Sequence, residues 1–351
     1  MLRMRIERAP LKDAENEVIL REYNRLTNAG IPMSEFVHWV ANSPAGKAWH
    51  GILEAEDGRV VGHTSVFPFR IGFASGSVIP AKSEFSLLHE DFRKEKIVGF
   101  EKAGKSAFIV LLDHVFRHSQ EFGWGPIFAS TNERNQVFTR KVGLRPVEFP
   151  LWECLLILKP RAAAQFTPNM NEWQRRGILS TGIAQVAIRS MLTPFLSHRN
   201  GVREIPMGAS SVAVEGSRLA FFEDVDSLRW RYLDGQYARL QIEQSPGDYV
   251  IVKRGSPTKY VRVCQWHIGQ RKQVPSFISA LIGLAQRDGA LGVRWAVYDG
   301  EPMSDALVTS LKWAGFLAAR RTRIVMVHKL GEKYLDRSLW KMNDSLFSFD
   351  P

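Results

Sequence analysis

Between Glu84 and Ser106 the chain places a carboxylate and an imidazole, Glu84 and His89, side chains of the types that move protons near neutral pH. They precede a basic cluster of Arg93, Lys94, Lys96, Lys102 and Lys105, offset within it only by Glu95 and Glu101. A basic loop of this kind suits a phosphorylated small ligand. Inside it, Gly99-Phe100-Glu101-Lys102-Ala103-Gly104-Lys105-Ser106 matches G-x-x-x-x-G-K-S, a pattern whose backbone N–H groups cradle phosphate. A nucleotide-hydrolysing P-loop follows a buried apolar strand directly, whereas here the preceding residues, 89–96, are largely charged. No apolar strand ending in a metal-binding aspartate follows either, since Asp113 falls inside a helical pattern. The same glycines and lysine serve a pyrophosphate that is bound without hydrolysis. His114 and His118 stand four apart on that helical pattern, but no third ligand accompanies them and no metal is expected. The ten tryptophans are scattered, which suits core and cleft packing better than base stacking.

The elements that would position these residues alternate in a regular way. An opening strand is followed by helical spacing over 11–27 and a short helix over 34–41. Residues 48–71 read as a hairpin joined by a two-residue turn at Asp57-Gly58, and a third strand spans 76–89. The charged loop leads into an amphipathic helix over 104–122 with Phe108, Leu111, Leu112, Val115 and Phe116 on its apolar side. A strand, a helix over 132–142 and a last strand over 146–158 complete this half. From residue 213 the order partly repeats. A helix near 224–233 precedes two strands joined at Gly247-Asp248, a third strand, a helix near 274–288, a strand, a helix near 302–314 and a final strand ending near Leu330. Between the halves, Pro160, Pro168, Pro194 and Pro206 punctuate a connector with one basic helix between Glu172 and Ser197. The apolar side of that helix is expected to be buried against the second half.

Ser86-Leu87-Leu88-His89-Glu90-Asp91-Phe92-Arg93 resembles the end of the central strand of the GNAT acyltransferases, where it enters a pyrophosphate loop. Phe128 to Asn135 resembles the strand-plus-Asn element that opens that family's last helix. Phe138-Thr139-Arg140-Lys141-Val142-Gly143-Leu144-Arg145-Pro146-Val147 resembles its closing F-x-x-x-x-G signature. The resemblance covers about residues 48–158 and extends to the second half only as architecture, with Trp230-Arg231-Tyr232 similar to an element of tandem GNAT-like proteins. It implies acetyl-CoA or another acyl-CoA as substrate, contacted by Leu87, Leu88, Arg93, Gly99, Gly104, Lys105, Ser106, Asn132 and Asn135. Glu84 is then the first candidate for the base and His89 the second, and the Leu87–Leu88 backbone polarises the thioester carbonyl. Asn132 would also serve as an ordinary helix cap. Two departures stand out. The family's glycine-rich loop is replaced by Arg93-Lys94-Glu95-Lys96, with glycine only at Gly99 and Gly104. Thr139 occupies the place of a tyrosine that commonly acts as general acid.

The expected fold is therefore α/β, two GNAT-like domains that are each a mainly antiparallel twisted sheet flanked by helices. Residues 1–158 would carry the acyl-CoA site, 159–212 a basic helical connector, and 213–351 a second domain without the loop, shaping the acceptor cleft. The formal charge of +11 does not lie in one polybasic tail. Residues 1–158 hold 20 Lys and Arg against 19 Asp and Glu, the connector 7 against 2, and the remainder 20 against 15. DNA is not an expected partner. No run of residues is apolar enough to span a membrane, the first residues lack a secretory pattern, and Cys154 and Cys264 form no disulfide framework. A cytoplasmic enzyme transferring an acyl group, acetyl above all, to a small-molecule amine such as an amino sugar or cell-envelope precursor is the leading reading. The alternatives are a degenerate GNAT fold that binds without turnover and a tRNA-dependent aminoacyl transferase of the peptidoglycan-bridge type. For the last, the basic connector would be the nucleic-acid track; a tRNA partner is not the expectation.

Overall fold

The computed structural model describes residues 1–27, 30–73, 76–100, 105–130, 139–166, 171–196, 201–208, 220–221, 224–233, 235–328 and 333–340. In the first half, strand β1 (Arg3–Arg8) leads to helices α1 (Asp13–Thr27) and α2 (Met33–Ala41), then to β2 (Trp49–Glu54) and β3 (Val60–Pro68). The short β4 (Ile71–Phe73) and β5 (Gly76–Val78) precede β6 (Ala81–Leu88), α3 (Ala107–Glu121), β7 (Ile127–Ser130) and β8 (Leu144–Ile157). Helices α4 (Pro160–Phe166) and α5 (Glu172–Leu196) connect to the second half. There β9 (Val202–Ile205), β10 (Ala220–Phe221), α6 (Val225–Arg231), β11 (Tyr237–Ile242), β12 (Ser245–Lys253) and β13 (Val261–His267) are followed by α7 (Val274–Arg287), β14 (Gly292–Tyr298), α8 (Ser304–Trp313) and β15 (Leu317–His328).

Twelve strands form one sheet in the order β1-β2-β3-β6-β7-β15-β8-β14-β13-β12-β11-β9. The order is symmetric about the β8–β15 boundary, so the repeat of architecture read from the sequence is a repeat of strand position. The last strand of each half crosses to the other. Strand β15 pairs with β7, β8 pairs with β14, and the two run antiparallel to each other from Leu144↔His328 to Leu155↔Leu317. The exchange makes one continuous sheet of the two halves, with β15 covering the edge of β7 and β8 that of β14.

Local patterning explains the layers. On α3 the residues Ile109, Leu112, Val115 and Phe116 are buried against β2 and β3. The helix lies so close that a Cβ on Gly51 of β2 would sit 2.2 Å from Val115 Cγ2. On the opposite face, α1 and α2 cover Ile52, Phe67, Phe85 and Leu87 with Ile19, Leu20, Phe36 and Trp39. In the second half α7 and α8 cover β11 to β14 through Phe277, Leu281, Leu307 and Leu311. Helix α5 runs over the residues expected for the connector helix and is tied down by Gln185, whose side chain accepts from Ile157 N at 2.9 Å and donates to Leu155 O at 2.8 Å.

Several local expectations shift. The β2–β3 turn has three residues, 56–58, closed by Ala55 N to Arg59 O at 2.9 Å, because Gly58 takes φ +81°. The expected third strand is two: β5 forms a hairpin with β4, and together with β10 they make a separate three-stranded sheet, while β6 alone enters the main one. The turn expected at Gly247-Asp248 falls instead at residues 243–244, with Ile242 opposite Ser245. That register points Val250 and Val252 into the core. Within the connector, Val202–Ile205 is the outermost strand of the sheet, paired with β11.

Candidate functional site

The candidate site lies where β6 leaves β7. These strands run parallel and pair only at Ala81↔Ile127 and Lys82↔Phe128 among the described residues; from Ser83 onward the ladder to β7 ends. Along its other edge β6 carries a bulge. Glu84 lies opposite Ser65 and Leu87 opposite His63, so β6 holds one residue more than β3. The bulge is centred on Phe85, whose φ is +52°, a conformation a bulky residue adopts only when its surroundings impose it. The ring supplies part of that imposition. Phe85 turns onto the face of Leu87 and packs edge-on against Phe36 and Tyr23, with centroids 4.8 and 5.1 Å away.

Two β3 side chains accept the consequence. Ser65 Oγ donates to Glu84 O at 3.1 Å, and His63 Nδ1 lies 2.8 Å from Phe85 O. In a trans peptide the N–H points opposite to the preceding C=O. With both carbonyls drawn toward β3 side chains, the N–H groups of Phe85 and Ser86 are turned away from β3. Consecutive amides turned to one side form a small positive concavity. Leu87 and Leu88, the expected polarising residues, are paired with His63 and Gly62 on β3.

Glu84 stands just before the bulge with its side chain mostly buried, and its Oε2 is 2.8 Å from Lys82 Nζ, itself fully buried two residues earlier on the same face. The sequence reading missed Lys82, although an i, i+2 pair on one strand shares a face by pleat alone. It also missed His50 and His63, fully buried on β2 and β3 with Nδ1 of the first 2.9 Å from Nε2 of the second. The signal was polar residues standing at inward positions among Ile52 and Phe67. Burial holds the His50 imidazole well below its ordinary pKa and lowers that of His63 to about 4. His89 lies past the end of β6, its N–H bonded to Val61 O at 2.8 Å and its Nδ1 3.4 Å from Asp91 Oδ2. Phe85 to Leu88 therefore separate the two expected proton-transfer residues along the strand.

The loop after His89 is a 3₁₀ turn, Glu90–Phe92, and an anchor to the chain start, with Leu2 N to Lys96 O at 2.8 Å and Val98 N to Leu2 O at 2.9 Å. This segment, not a buried strand, precedes Gly99, which removes the context a P-loop requires. Arg93 caps the 3₁₀ turn and is exposed, as is Lys105; Gly99 has φ +82°. Ser106 stands at the N-cap of α3 with no side-chain capping bond, and the first turn of that helix holds no acidic residue. Its leading amides suit an anion. Gly104, Asn132 and Asn135 lie outside the described residues. Thr139 precedes Gly143, and Arg140, Gly143, Leu144, Arg145 and Pro146 line an open cavity of about 460 Å³. His114 and His118 are occupied otherwise: His114 Nδ1 lies 3.3 Å from Val110 O, and His118 packs edge-on against Trp49 at 4.4 Å.

The second half packs against the first through Trp230-Arg231-Tyr232. Trp230 is buried in the first half's core, and its carbonyl lies 2.9 Å from His38 Nε2. Tyr232 is buried in the second half and donates to Gln265 Oε1 at 2.7 Å. The second half repeats the geometry of β6 and β7: β13 pairs with β14 only from Val261 to Val263, and its register against β12 slips at the next residue.

No family model matches the sequence, and no curated protein sequence matches it. Solved structures match over nearly the whole chain. A GCN5-related N-acetyltransferase from Kribbella flavida superposes with a TM-score of 0.54 at 13% identity, over 92% of this chain and 71% of the other. Another from Anabaena variabilis ATCC 29413 gives 0.50 at 14%, over 92% and 72%. The N-myristoyltransferase of Saccharomyces cerevisiae, solved with bound myristoyl-CoA, gives 0.55 at 11%, over 93% and 79%. At such identities what is shared is architecture: this chain has the fold of the GCN5-related N-acetyltransferases, a large mixed sheet flanked by helices.

Proposed function

We propose that this protein is an acyl-CoA-dependent N-acyltransferase whose thioester lies in the gap between β6 and β7. The observation that carries the reading is the bulge at the mouth of that gap, which turns the Phe85 and Ser86 amides to one side. An amine attacks the thioester carbon, a C–N bond forms, and negative charge gathers on the carbonyl oxygen. Fixed amide donors stabilise that charge without reorganising, which is where such donors accelerate acyl transfer. Collapse breaks the C–S bond and releases CoA thiolate. Glu84 is the base proposed for the amine proton; with Thr139 in the place of the family's usual tyrosine, the departing thiolate takes its proton from water or leaves as the anion. Arg93, Lys105, Gly99, Ser106 and the first amides of α3 support the pyrophosphate, with Gly104, Asn132 and Asn135 as further contacts. Residues 213–351 shape an acceptor cleft through the Trp230–Tyr232 segment. A small amine such as an amino sugar or cell-envelope precursor, and acetyl as the acyl group, complete the proposal.

The similarity in fold to a GCN5-related N-acetyltransferase and to an N-myristoyltransferase with bound myristoyl-CoA supports an acyl-CoA donor in general. A second reading, binding without turnover, is favoured by the engagement of Glu84 with Lys82 and by Thr139. Thermal unfolding with CoA, acetyl-CoA, longer acyl-CoAs and Mg-ATP tests the donor. A ligand at about a hundred times its dissociation constant stabilises by about 2.7 kcal/mol. Stabilisation by an acyl-CoA with turnover of an amine supports the enzyme, and stabilisation without turnover across an amine panel supports the binding protein. A response to Mg-ATP alone overturns both.

A further inference from the structure

We infer that His63, oriented by His50, is a positioning residue that holds the Phe85 bulge in the shape that presents its amides to the thioester; this rests on the acyltransferase reading above. The hydrogens on the two rings follow from the acceptor at one end. Phe85 O can only accept, so His63 carries its hydrogen on Nδ1, across a 2.8 Å contact. The Nε2 of the same neutral ring then accepts, and His50 Nδ1 donates to it across 2.9 Å. The chain of bonds ends on a backbone carbonyl, which cannot take up a proton, so the pair orients and does not relay. Both rings are fully buried, and His50 Nε2 has no hydrogen-bond partner among the described residues, an arrangement that apolar side chains would avoid.

The reason for tolerating it lies in the bulge. Beyond Lys82 the strand has left β7, and a residue with φ +52° has its carbonyl out of the ladder. His63 receives that carbonyl, and Ser65 Oγ receives its neighbour at 3.1 Å. Release of Phe85 O lets the Phe85–Ser86 peptide rotate, and the Ser86 N–H rotates with it. The predicted effect is therefore on polarisation of the carbonyl and on kcat, not on acyl-CoA binding.

The test uses the full chain, the substitutions His63→Leu and His63→Asn, and [1-¹³C]acetyl-CoA as probe. Asparagine can place an amide donor near the position of Nδ1; leucine cannot. In the wild type the thioester carbonyl stretch, read by isotope-edited infrared difference spectra, shifts to lower frequency on binding. His63→Leu is expected to lose that shift while the acetyl-CoA dissociation constant stays within about three-fold, and His63→Asn to recover it. A shift retained in His63→Leu, or an asparagine variant no better than leucine, overturns the proposal. If His63→Leu does not fold, His50→Leu takes its place with a partial loss expected, and an unchanged shift is the overturning result. If the wild type binds no acyl-CoA, the acyltransferase reading fails by itself. Hydrogen exchange over residues 81–88 then decides the brace: faster in His63→Leu and restored in His63→Asn upholds it, and no change between the two overturns it.

Discussion

Lys82 Nζ and Glu84 Oε2 meet at 2.8 Å on one strand, the ammonium fully buried and the carboxylate nearly so. The pairing follows from the pleat, which puts residues two apart on one face, and from the bulge, which begins only after Glu84. The carboxylate proposed as the base is thus also the group that compensates a buried cation. Glu84→Gln is expected to destabilise the protein by about 3 kcal/mol, because it removes the carboxylate charge that pairs with the buried ammonium. Lys82→Met with Glu84→Gln should recover most of that loss. Denaturant titration of the single and double variants checks this. If the recovered double variant remains without turnover, the catalytic share of Glu84 is separated from its structural one.

The buried imidazoles make stability depend on pH. A histidine whose pKa falls from 6.5 to about 4 on folding binds fewer protons folded than unfolded between those values. Stability therefore rises with pH through that window and is lost as pH falls from about 6.5 toward 4. At about 1.4 kcal/mol for each pH unit, His63 alone accounts for about 3 kcal/mol, and His50 acts in the same direction. Unfolding free energies measured at pH 7 and pH 4.5 should converge in His63→Asn relative to wild type.

Close approach of α3 to β2 gives a packing prediction. A Cβ at Gly51 would lie 2.2 Å from Val115 Cγ2 and 2.8 Å from Leu111 Cδ1. Gly51→Ala is expected to cost about 1–3 kcal/mol through overpacking. Val115→Ala in the same chain should offset part of it, a non-additivity that a double-mutant cycle on urea midpoints would reveal.

The basic loop should act on affinity and not on chemistry. Arg93 and Lys105 are exposed, so Arg93→Ala and Lys105→Ala are each expected to raise the CoA dissociation constant several-fold at low salt, on the order of 1 kcal/mol, with a smaller effect at high salt. Calorimetric titration at two ionic strengths checks the sign. Equal losses at both salts would mean the loop packs and does not attract.

Much of this protein was legible in its sequence because periodicity records which face of an element is buried. The helical spacing of Phe108, Leu111, Leu112, Val115 and Phe116 marks α3, and apolar stretches either side of Asp57-Gly58 mark β2 and β3, whatever lies beside them. The basic loop and its lone glycines were legible for the same local reason. Which strand lies beside which is a different kind of information. β8 and β15 each read as the last strand of its own half, and only long-range packing decided that they exchange places. The Phe85 bulge was equally hidden, since nothing in Glu84-Phe85-Ser86 departs from an ordinary strand pattern. Its left-handed φ is imposed by Phe36 and Tyr23 on one side and by Ser65 and His63 on the other. The sequence by itself determined most of the elements and the basic character of the loop. The tertiary structure alone decided where β6 parts from β7 and which amides face away from β3, because both depend on contacts between residues far apart in the chain.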